Sequence, residues 1–522
     1  MSFVKGCVQE CRQTHAICRQ DTHDFVPTRL LHVGLNNEEL FICESGAEGL
    51  TKPTFTWAAL SHCWGGGQPI KLVRDNLSDL HSRVSFDELP STFRDAIDVA
   101  RLLEIQYIWI DSMCIIQDDI EDWQQEAAMM GMIYSQAFIV ISGASSEEPS
   151  IPFLGPRDED WLPRQFFMTT PTNHTININA RRRHLLAAPL EQGLHEPPYT
   201  EAWAHDRWKG PLYKRAWCFQ ETHLAQRTLH FTPGSIIFEC RTHRRAEDHL
   251  PPDPSLLSPI LGQVGDATKW RMVVRQYTSR NLSRSTDKLP AISGVASLLP
   301  QAQRTDYLAG IWRESLIHDL LWNVQPQPGE PLSYRGEEYI APTWSWASLD
   351  HAVSWNEFQI TALLAEVLEA RCEPTGSNRF GQIRSGHIRL RARVRRCKIF
   401  WKPERYSYRA YFLDDKGKRS EEKHFTSDGL LVGRRTEQHD GKSAEGVHSF
   451  AARAVTSGLP FEGELDAAFV CLAKSTAMSL NHVGLLVTPS VKVKDAWERI
   501  GTLLKAGSGW YASGEEAVVT LL

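Results

Sequence analysis

Apolar and polar positions are most strongly ordered between Thr56 and Ala144, and the pattern there switches between two periods. TWAALS, YIWI and FIVIS are short, nearly continuous apolar runs, as in strands covered on both faces by helices. The stretches between them carry the helical period instead. Phe93, Ala96, Ile97, Ala100 and Leu103 share one face of a helix predicted within LPSTFRDAIDVARLLE. Ile120, Trp123, Ala127, Met130 and Tyr134 do so in the next predicted helix. Leu89-Pro90-Ser91-Thr92 and Asp118-Asp119 supply the helix starts, with acidic groups favoured at the positive end of the helix. Strands alternating with helices predict an α/β fold built on a parallel sheet.

Ligands of such sheets collect in the crevice outside the carboxyl ends of the strands. Three polar clusters end the apolar runs there: Ser61-His62-Cys63, Asp111-Ser112-Met113-Cys114 and Ser142-Gly143. Gly65-Gly66-Gly67 follows the first and lets backbone approach a ligand or turn sharply. Ser and Gly also simply open loops, so both readings stand for Ser142 and Gly143. A second dense stretch, Pro211 to Cys240, predicts a short helix over about Trp217 to Gln226. A hairpin follows, with strands Arg227–Phe231 and Ser235–Glu239. Trp217 and Glu221 are four apart and share a helix face. A carboxylate held beside an indole is desolvated, its pKa rises, and it suits acid–base work; Arg215, just upstream, can instead pair with it. Glu126 lies in the apolar arc between Trp123 and Met130, where a carboxylate must be paired or functional. His62, Asp111 and Cys114 offer a third chemistry, a thiol nucleophile with a base and an orienting acid. Against it, Cys114 stands in an apolar run, where thiols are usually inert.

The rest of the chain frames this region. Residues 1–55 read as a helix and two short strands, 56–250 as the α/β domain with an insertion at 145–212, 251–358 as helical, and 359–522 as β-rich. The insertion opens on a loop with Pro149, Pro152, Pro156 and Pro163, read as a surface lid, followed by a hairpin and a helix start over 165–187. Trp270 to Leu298 and Tyr307 to Trp322 are expected to be amphipathic helices, with a break at Asp287-Lys288-Leu289-Pro290, and Trp344 and Trp346 core plugs. Strict alternation from Ile388 puts Arg389, Arg391, Arg393 and Arg395 on one strand face. Acidic partners on neighbouring strands are favoured there over a polyphosphate site. Residues 414–447 read as a charged loop.

A chain of 522 residues exceeds a single core. With 42% hydrophobic and 23% charged residues and a net charge of −6, it offers no electrostatic case for nucleic acid or an anionic membrane as partner. No run reaches the roughly 20 apolar residues of a membrane span, and MSFVKGCVQECRQTH lacks the apolar centre of a secretory signal. Eleven scattered cysteines fit a reducing compartment, so a cytoplasmic location is expected. Cys7, Cys11, His15 and Cys18 fall along one side of the first helix. Tetrahedral metal sites usually draw ligands from two elements, so these read as buried thiols and no metal ligand is assigned.

SHCWG, LPSTFRDAI, YIWIDSMCIIQDD, DWQQEAAMMGMIYSQA and RAWCFQE, in this order and spacing, closely resemble the signature blocks of the fungal heterokaryon-incompatibility (HET) domain. Trp270 to Gly294, APTWSWAS at 341–348, and Glu498 to Gly501 resemble the tail of stand-alone family members. The resemblance implies a fungal intracellular protein of non-self recognition, linked to programmed cell death when unlike cells fuse. The HET core is in turn similar to the Toll/interleukin-1 receptor (TIR) domain, a flavodoxin-like sheet, and some TIR domains cleave NAD+ between nicotinamide and ribose. On that likeness the strand ending at Ser61-His62 comes first, Ile108 to Asp111 second and Phe138 to Ser142 third. Trp217-Cys218-Phe219-Gln220-Glu221 then keeps the spacing of the TIR Trp-Cys-x-x-Glu motif, although the insertion 145–212 precedes it. The implied reaction passes through an oxocarbenium-like state with a good leaving group, so one carboxylate suffices. Glu221 is the first candidate and Glu126 the second. Ser61, Ser142 and Trp217 would line the nucleotide, Arg215 would neutralise its pyrophosphate, and Gly65 and Gly66 would admit it by backbone N–H groups. NAD+ is then a substrate, and no cofactor is required. A catalytically empty TIR-like domain would instead act as a scaffold by self-association, and a cysteine-dependent metabolic enzyme is the third possibility.

Overall fold

A computed structural model of the chain describes residues 2–18, 25–36, 38–46, 55–66, 70–157, 159–162, 164–171, 174–180, 210–247, 267–325, 338–356, 359–402, 407–414, 416–428, 464–475, 481–506 and 508–522. It divides into two units, Met1–Gln263 and Val264–Leu522.

The first unit is built on one eight-stranded sheet. Its strands are β1 (Arg29–His32), β2 (Phe41–Glu44), β3 (Ala58–Ser61), β4 (Tyr107–Trp109), β5 (Ile139–Ser142), β8 (Arg227–Phe231), β9 (Ile236–Cys240) and β10 (Arg244–Ala246), while β6 (Arg164–Thr169) and β7 (Thr175–Ala180) form a separate hairpin. Across the sheet the order is β10-β9-β8-β5-β3-β4-β1-β2. The central four, β8, β5, β3 and β4, run parallel, and the outer strands are antiparallel. Numbered along the chain, the parallel strands stand in the order 2-1-3-4, so the winding reverses between β3 and β5. That reversal is the switch point at which doubly wound sheets open a crevice. The N-terminal segment thus supplies two edge strands to the same sheet.

Period-2 side chains of the strands feed two separate cores. Ala58, Leu60, Ile108, Ile139 and Ile141 pack against helix α2 (Ser91–Leu102) through Phe93, Ala96, Ile97 and Ala100. Helix α1 (Ser2–Thr14) joins that core through Val4, Cys7, Val8 and Cys11. Trp57, Ala59, Trp109 and Val140 face the other way, onto Met130, Ile133 and Tyr134 of helix α3 (Ile120–Gln136). Asp119 caps α3, its carboxylate accepting from the N–H groups of Glu121 and Asp122, which satisfies donors that have no partner inside the helix. Ile120 departs from expectation. It is the first helical residue and is 68% exposed, so the packing arc of α3 begins a turn later.

The insertion leaves and re-enters the sheet at one spot. Gly210 has φ +97°, and a side-chain carbon there would lie 2.0 Å from the carbonyl oxygen of Ala144. Ala144 and Gly210 are thus in direct backbone contact, and β8 pairs directly with β5, Val140 opposite Thr228. Topologically the insertion is an excursion that leaves the strand order untouched. Its β6–β7 hairpin forms as expected, while the part of 165–187 beyond Ala180, with the helix start, lies outside the described residues.

In the second unit, the stretch read as helical from Trp270 to Leu298 holds two helices, Ala267–Thr278 and Pro290–Leu298, with residues 279–289 between them outside any α-helix. Tyr307 to Trp322 is not the expected helix. Tyr307–Leu308 pairs with Ile311–Trp312 in a tight hairpin, followed by one α-helical turn at Leu316–Asp319. Ala309 and Gly310 both take positive φ, a backbone state that ends a helix and closes a hairpin. Trp344 and Trp346 are wholly buried, and the Trp346 indole N–H donates to the Gly310 carbonyl at 2.8 Å. The C-terminal part is a ten-stranded sheet crossed by the 20-residue strand Ile383–Lys402. Its arginine face is partnered: Arg391 pairs with Glu366, Arg389 lies 3.5 Å from Glu369, and Arg393 and Arg395 donate to backbone carbonyls. Most of the loop read at 414–447 lies outside the described residues.

Candidate functional site

Strand register aligns three side chains at the carboxyl edge of the sheet. Ser61 stands opposite Ser142, and Ser142 opposite His230, so β3, β5 and β8 end in one polar row. Apolar side chains earlier in each strand hold that row in place, and the Gly143 N–H closes it by donating to the Ser61 carbonyl at 3.0 Å. Tyr134 secures the same edge from α3 by donating to the Leu60 carbonyl at 2.9 Å.

Helix α4 (Cys218–His223) brings Glu221 to this row. Cys218, Phe219 and Gln220 are all buried and draw the short helix inward, and Glu221, three residues after Cys218, follows. The Ser61 hydroxyl donates to the Glu221 carboxylate. Burial pushes the Glu221 pKa up to about 7; the Ser61 hydrogen bond pulls it down, the Asp111 charge adds to the rise, and Arg215 opposes it. Trp217 caps the helix rather than lying within it, and its ring meets Trp123 of α3 edge-on at 6.4 Å. Burial at the sheet edge desolvates the carboxylate.

His62, one residue on, turns to the opposite face and meets Phe93 edge-on at 5.0 Å. Burial pushes its pKa down to about 4, with Asp111 raising it and Arg215 lowering it, so the ring is neutral near pH 7. Neither ring nitrogen has a hydrogen-bond partner among the described residues. Nδ1 stands 3.7 Å from Asp111 Oδ1, beyond hydrogen-bonding reach. Asp111 is held by the Trp64 indole N–H at 2.7 Å and by the Ser112 N–H at 2.8 Å. Arg215 donates to the His62 carbonyl and lies in the field of both Glu221 and Asp111. His62, Asp111, Arg215 and Glu221 therefore meet at one end of the sheet. Asp111, Trp64 and Arg215 form its half-exposed rim.

Gly65 has φ +64°, and a side-chain carbon there would lie 2.5 Å from the Glu148 Cβ. Its backbone conformation and this close approach both require glycine. Gly66 is exposed with open space around it, and Gly67 lies outside the described residues. The Ser142 hydroxyl is fully buried and unpartnered among the described residues.

Glu126 and Cys114 do not join this group. Arg29 of β1 donates through Nη2 to both carboxylate oxygens of Asp122 and through Nε to the Cys114 carbonyl at 2.8 Å, and reaches to 3.9 Å from Glu126. Glu126 is thus the buried second carboxylate of an Arg29 network, its pKa raised by burial against the pull of Thr28 and Arg29. Cys114 packs in the apolar core with Trp57, Trp109 and Ile133, where burial holds the thiol far above its ordinary pKa. Nothing in these surroundings generates a thiolate.

Sequence reasoning missed a polar chain behind the row. The Tyr213 hydroxyl meets His230 Nδ1, His230 Nε2 lies 3.3 Å from Glu239, and Glu239 takes Arg244 Nε at 2.7 Å. Burial opposes ionisation of Glu239, but Arg244 and His230 outweigh it and hold the carboxylate well below its usual range. Only strand register reveals this chain, because His230 gains its meaning by standing opposite Ser142.

The fold and site define an α/β protein with a doubly wound sheet and a buried carboxylate at its switch point. Residues 57–221 match the model of the family described as Heterokaryon incompatibility protein (HET), and this segment belongs to that family. The match runs from the residue before β3 to Glu221 itself. Comparison with curated proteins and with solved structures returned no match. Among the described residues, no helix is long and apolar enough to cross a membrane.

Proposed function

We propose that the HET segment is a TIR-like effector domain, which binds a nucleotide at the carboxyl edge of its sheet and cleaves the N-ribosidic bond of NAD+. Heterokaryon incompatibility is the function implied at family level; in our reading this consumption would carry it out as cytoplasmic cell death after non-self recognition. One observation carries the reading: Glu221 is a buried carboxylate with a pKa near 7, fixed by Ser61 at the switch point of a 2-1-3-4 sheet. Near neutral pH such a group is part ionised, and its anion would stabilise positive charge developing on the ribose. Arg215 at the half-exposed rim suits a pyrophosphate, and Gly66 leaves backbone open beside it. Glu126 plays no part in this scheme, since its Arg29 network supplies its role.

The test is nicotinamide release from NAD+ by the purified full chain, with Glu221→Gln and Glu126→Gln compared. Turnover is expected to fall at least about a hundredfold in Glu221→Gln and to survive in Glu126→Gln. A folded wild-type chain that releases no nicotinamide but self-associates would replace this reading with the scaffold.

A further inference from the structure

We propose that Cys11, His15, Cys18 and Cys240 form a closed, tetrahedral site for a thiophilic divalent cation, zinc by preference, which fastens the N-terminal helix to the edge of the HET sheet. One ligand atom from each of the four residues lies within 4.8 Å of every other. Ligand atoms of a tetrahedral zinc site with three sulfurs and one nitrogen stand about 3.8 Å apart, given metal–sulfur bonds near 2.3 Å. His15 Nδ1 and the Cys240 sulfur are already 3.4 Å apart.

Two separate elements supply the set. Cys11 sits in the last turn of α1, His15 just beyond it, and Cys18 on a 3-10 turn that folds back, its N–H donating to the His15 carbonyl. Cys240 arrives from the end of β9. The sequence pattern shows three of these along one helix and goes no further, because the fourth ligand lies more than two hundred residues away. Cys7, the other member of that sequence cluster, is not part of the group and packs in the core beside α2.

The surroundings suit bound thiolates. The N–H groups of Thr242 and His243 point at the Cys240 sulfur at 3.4 and 3.5 Å, and Arg227 Nε donates to the Cys11 sulfur at 3.3 Å. Arg227 is itself buried, and its other donors go to the carbonyls of Phe138 and Cys18 and to Gln226. Among the described residues no carboxylate pairs with it. A buried guanidinium without a counter-charge is costly. Three thiolates, one neutral imidazole and a divalent cation carry a net charge of −1, which supplies that counter-charge. Binding releases the three thiol protons and forms four metal–ligand bonds with no redox change. All four positions are filled by protein, so the role is structural. A second set, Glu10, His15 and His243, shares His15, but Glu10 is exposed and already paired with Arg245.

The experiment is metal analysis of the full chain purified without chelator, followed by replacement with Co2+. About one equivalent of zinc is expected, and Co2+ should give intense thiolate-to-metal charge transfer with the d–d bands of a tetrahedral ion. Cys240→Ser should lose the metal, and Cys7→Ser should keep it. Removing zinc with a strong chelator should lower the melting temperature of wild type and leave Cys240→Ser unmoved. A well-folded wild-type chain with no stoichiometric metal and no cobalt charge transfer overturns the proposal. So does a mass two hydrogens below the reduced chain, the mark of a disulfide in place of a metal, or retention of the metal by Cys240→Ser.

Discussion

Ser61 and Glu221 lie 160 residues apart in the chain, and the hydroxyl of the first donates to the carboxylate of the second inside the carboxyl edge of the sheet. Because that bond favours the ionised carboxylate, it opposes the burial that pushes Glu221 toward protonation. Ser61→Ala should therefore raise the Glu221 pKa above about 7. If the carboxylate is the active form, the acid limb of the pH profile for nicotinamide release should shift to higher pH in the variant. Turnover would then fall most near neutrality and recover at alkaline pH. A profile unchanged in position would separate Ser61 from the chemistry.

Glu221 and His62 should also mark the pH dependence of stability with opposite signs. The Glu221 pKa is raised from 4.5 to about 7, so its favourable contribution is present at low pH and lost as pH rises through 7. The His62 pKa is lowered from 6.5 to about 4, so its contribution is present above 6.5 and lost as pH falls through 4. Each swing is roughly 3 kcal/mol. Over the shared window these two contributions offset, so each shows best when the other is removed. Glu221→Gln should leave a chain whose stability climbs from pH 4 to 6.5, and His62→Gln one whose stability declines from pH 4.5 to 7. Denaturant unfolding at pH 5 and pH 8 reads both.

Much of this site was legible in the sequence because its parts end elements with strong periods. Ser61, His62 and Asp111 close apolar runs whose strand character is unambiguous, and Glu221 lies in a short helix that the pattern also marks. Their convergence follows from the switch-point rule once the sheet is parallel. What was not legible depends on pairing across long separations. Glu126 looked available until β1 brought Arg29 alongside it. His230 became part of the row only through its register with Ser142. The supposed helix from Tyr307 failed because two residues at positive φ override an apolar period.

Gly210 tests the claim that the insertion is an excursion from an intact sheet. Gly210→Ala would place a methyl on the Ala144 carbonyl and impose a strained φ at the same position. Its cost should be on the order of 3 kcal/mol. The loss should appear in the unfolding transition of the first unit, and Gly66→Ala, which meets open space, should cost far less. Equal stability of the two variants would mean that the junction at Ala144 and Gly210 is not a fixed point of the fold.

Arg499 decides the stability of the second unit in a similar way. It is wholly buried, bidentate to Asp428, donates to the carbonyls of Leu320 and Trp322 at 2.5 and 2.6 Å, and lies 3.4 Å from the centre of the Trp322 ring. Arg499→Met keeps most of the volume but takes the guanidinium from buried Asp428 and from the Leu320 carbonyl, while the Trp322 carbonyl keeps the Thr502 hydroxyl as a donor. The expected loss is about 3–5 kcal/mol. Arg499→Lys should not rescue it, since a single ammonium cannot span a carboxylate and two carbonyls or stack on an indole. Adding Asp428→Leu to Arg499→Met removes the carboxylate that has lost its guanidinium and should recover part of the loss, because breaking a buried pair costs more than replacing it. If the double variant were no more stable than Arg499→Met alone, the cost would lie in the Leu320 carbonyl and the lost stacking on Trp322 rather than in the ion pair.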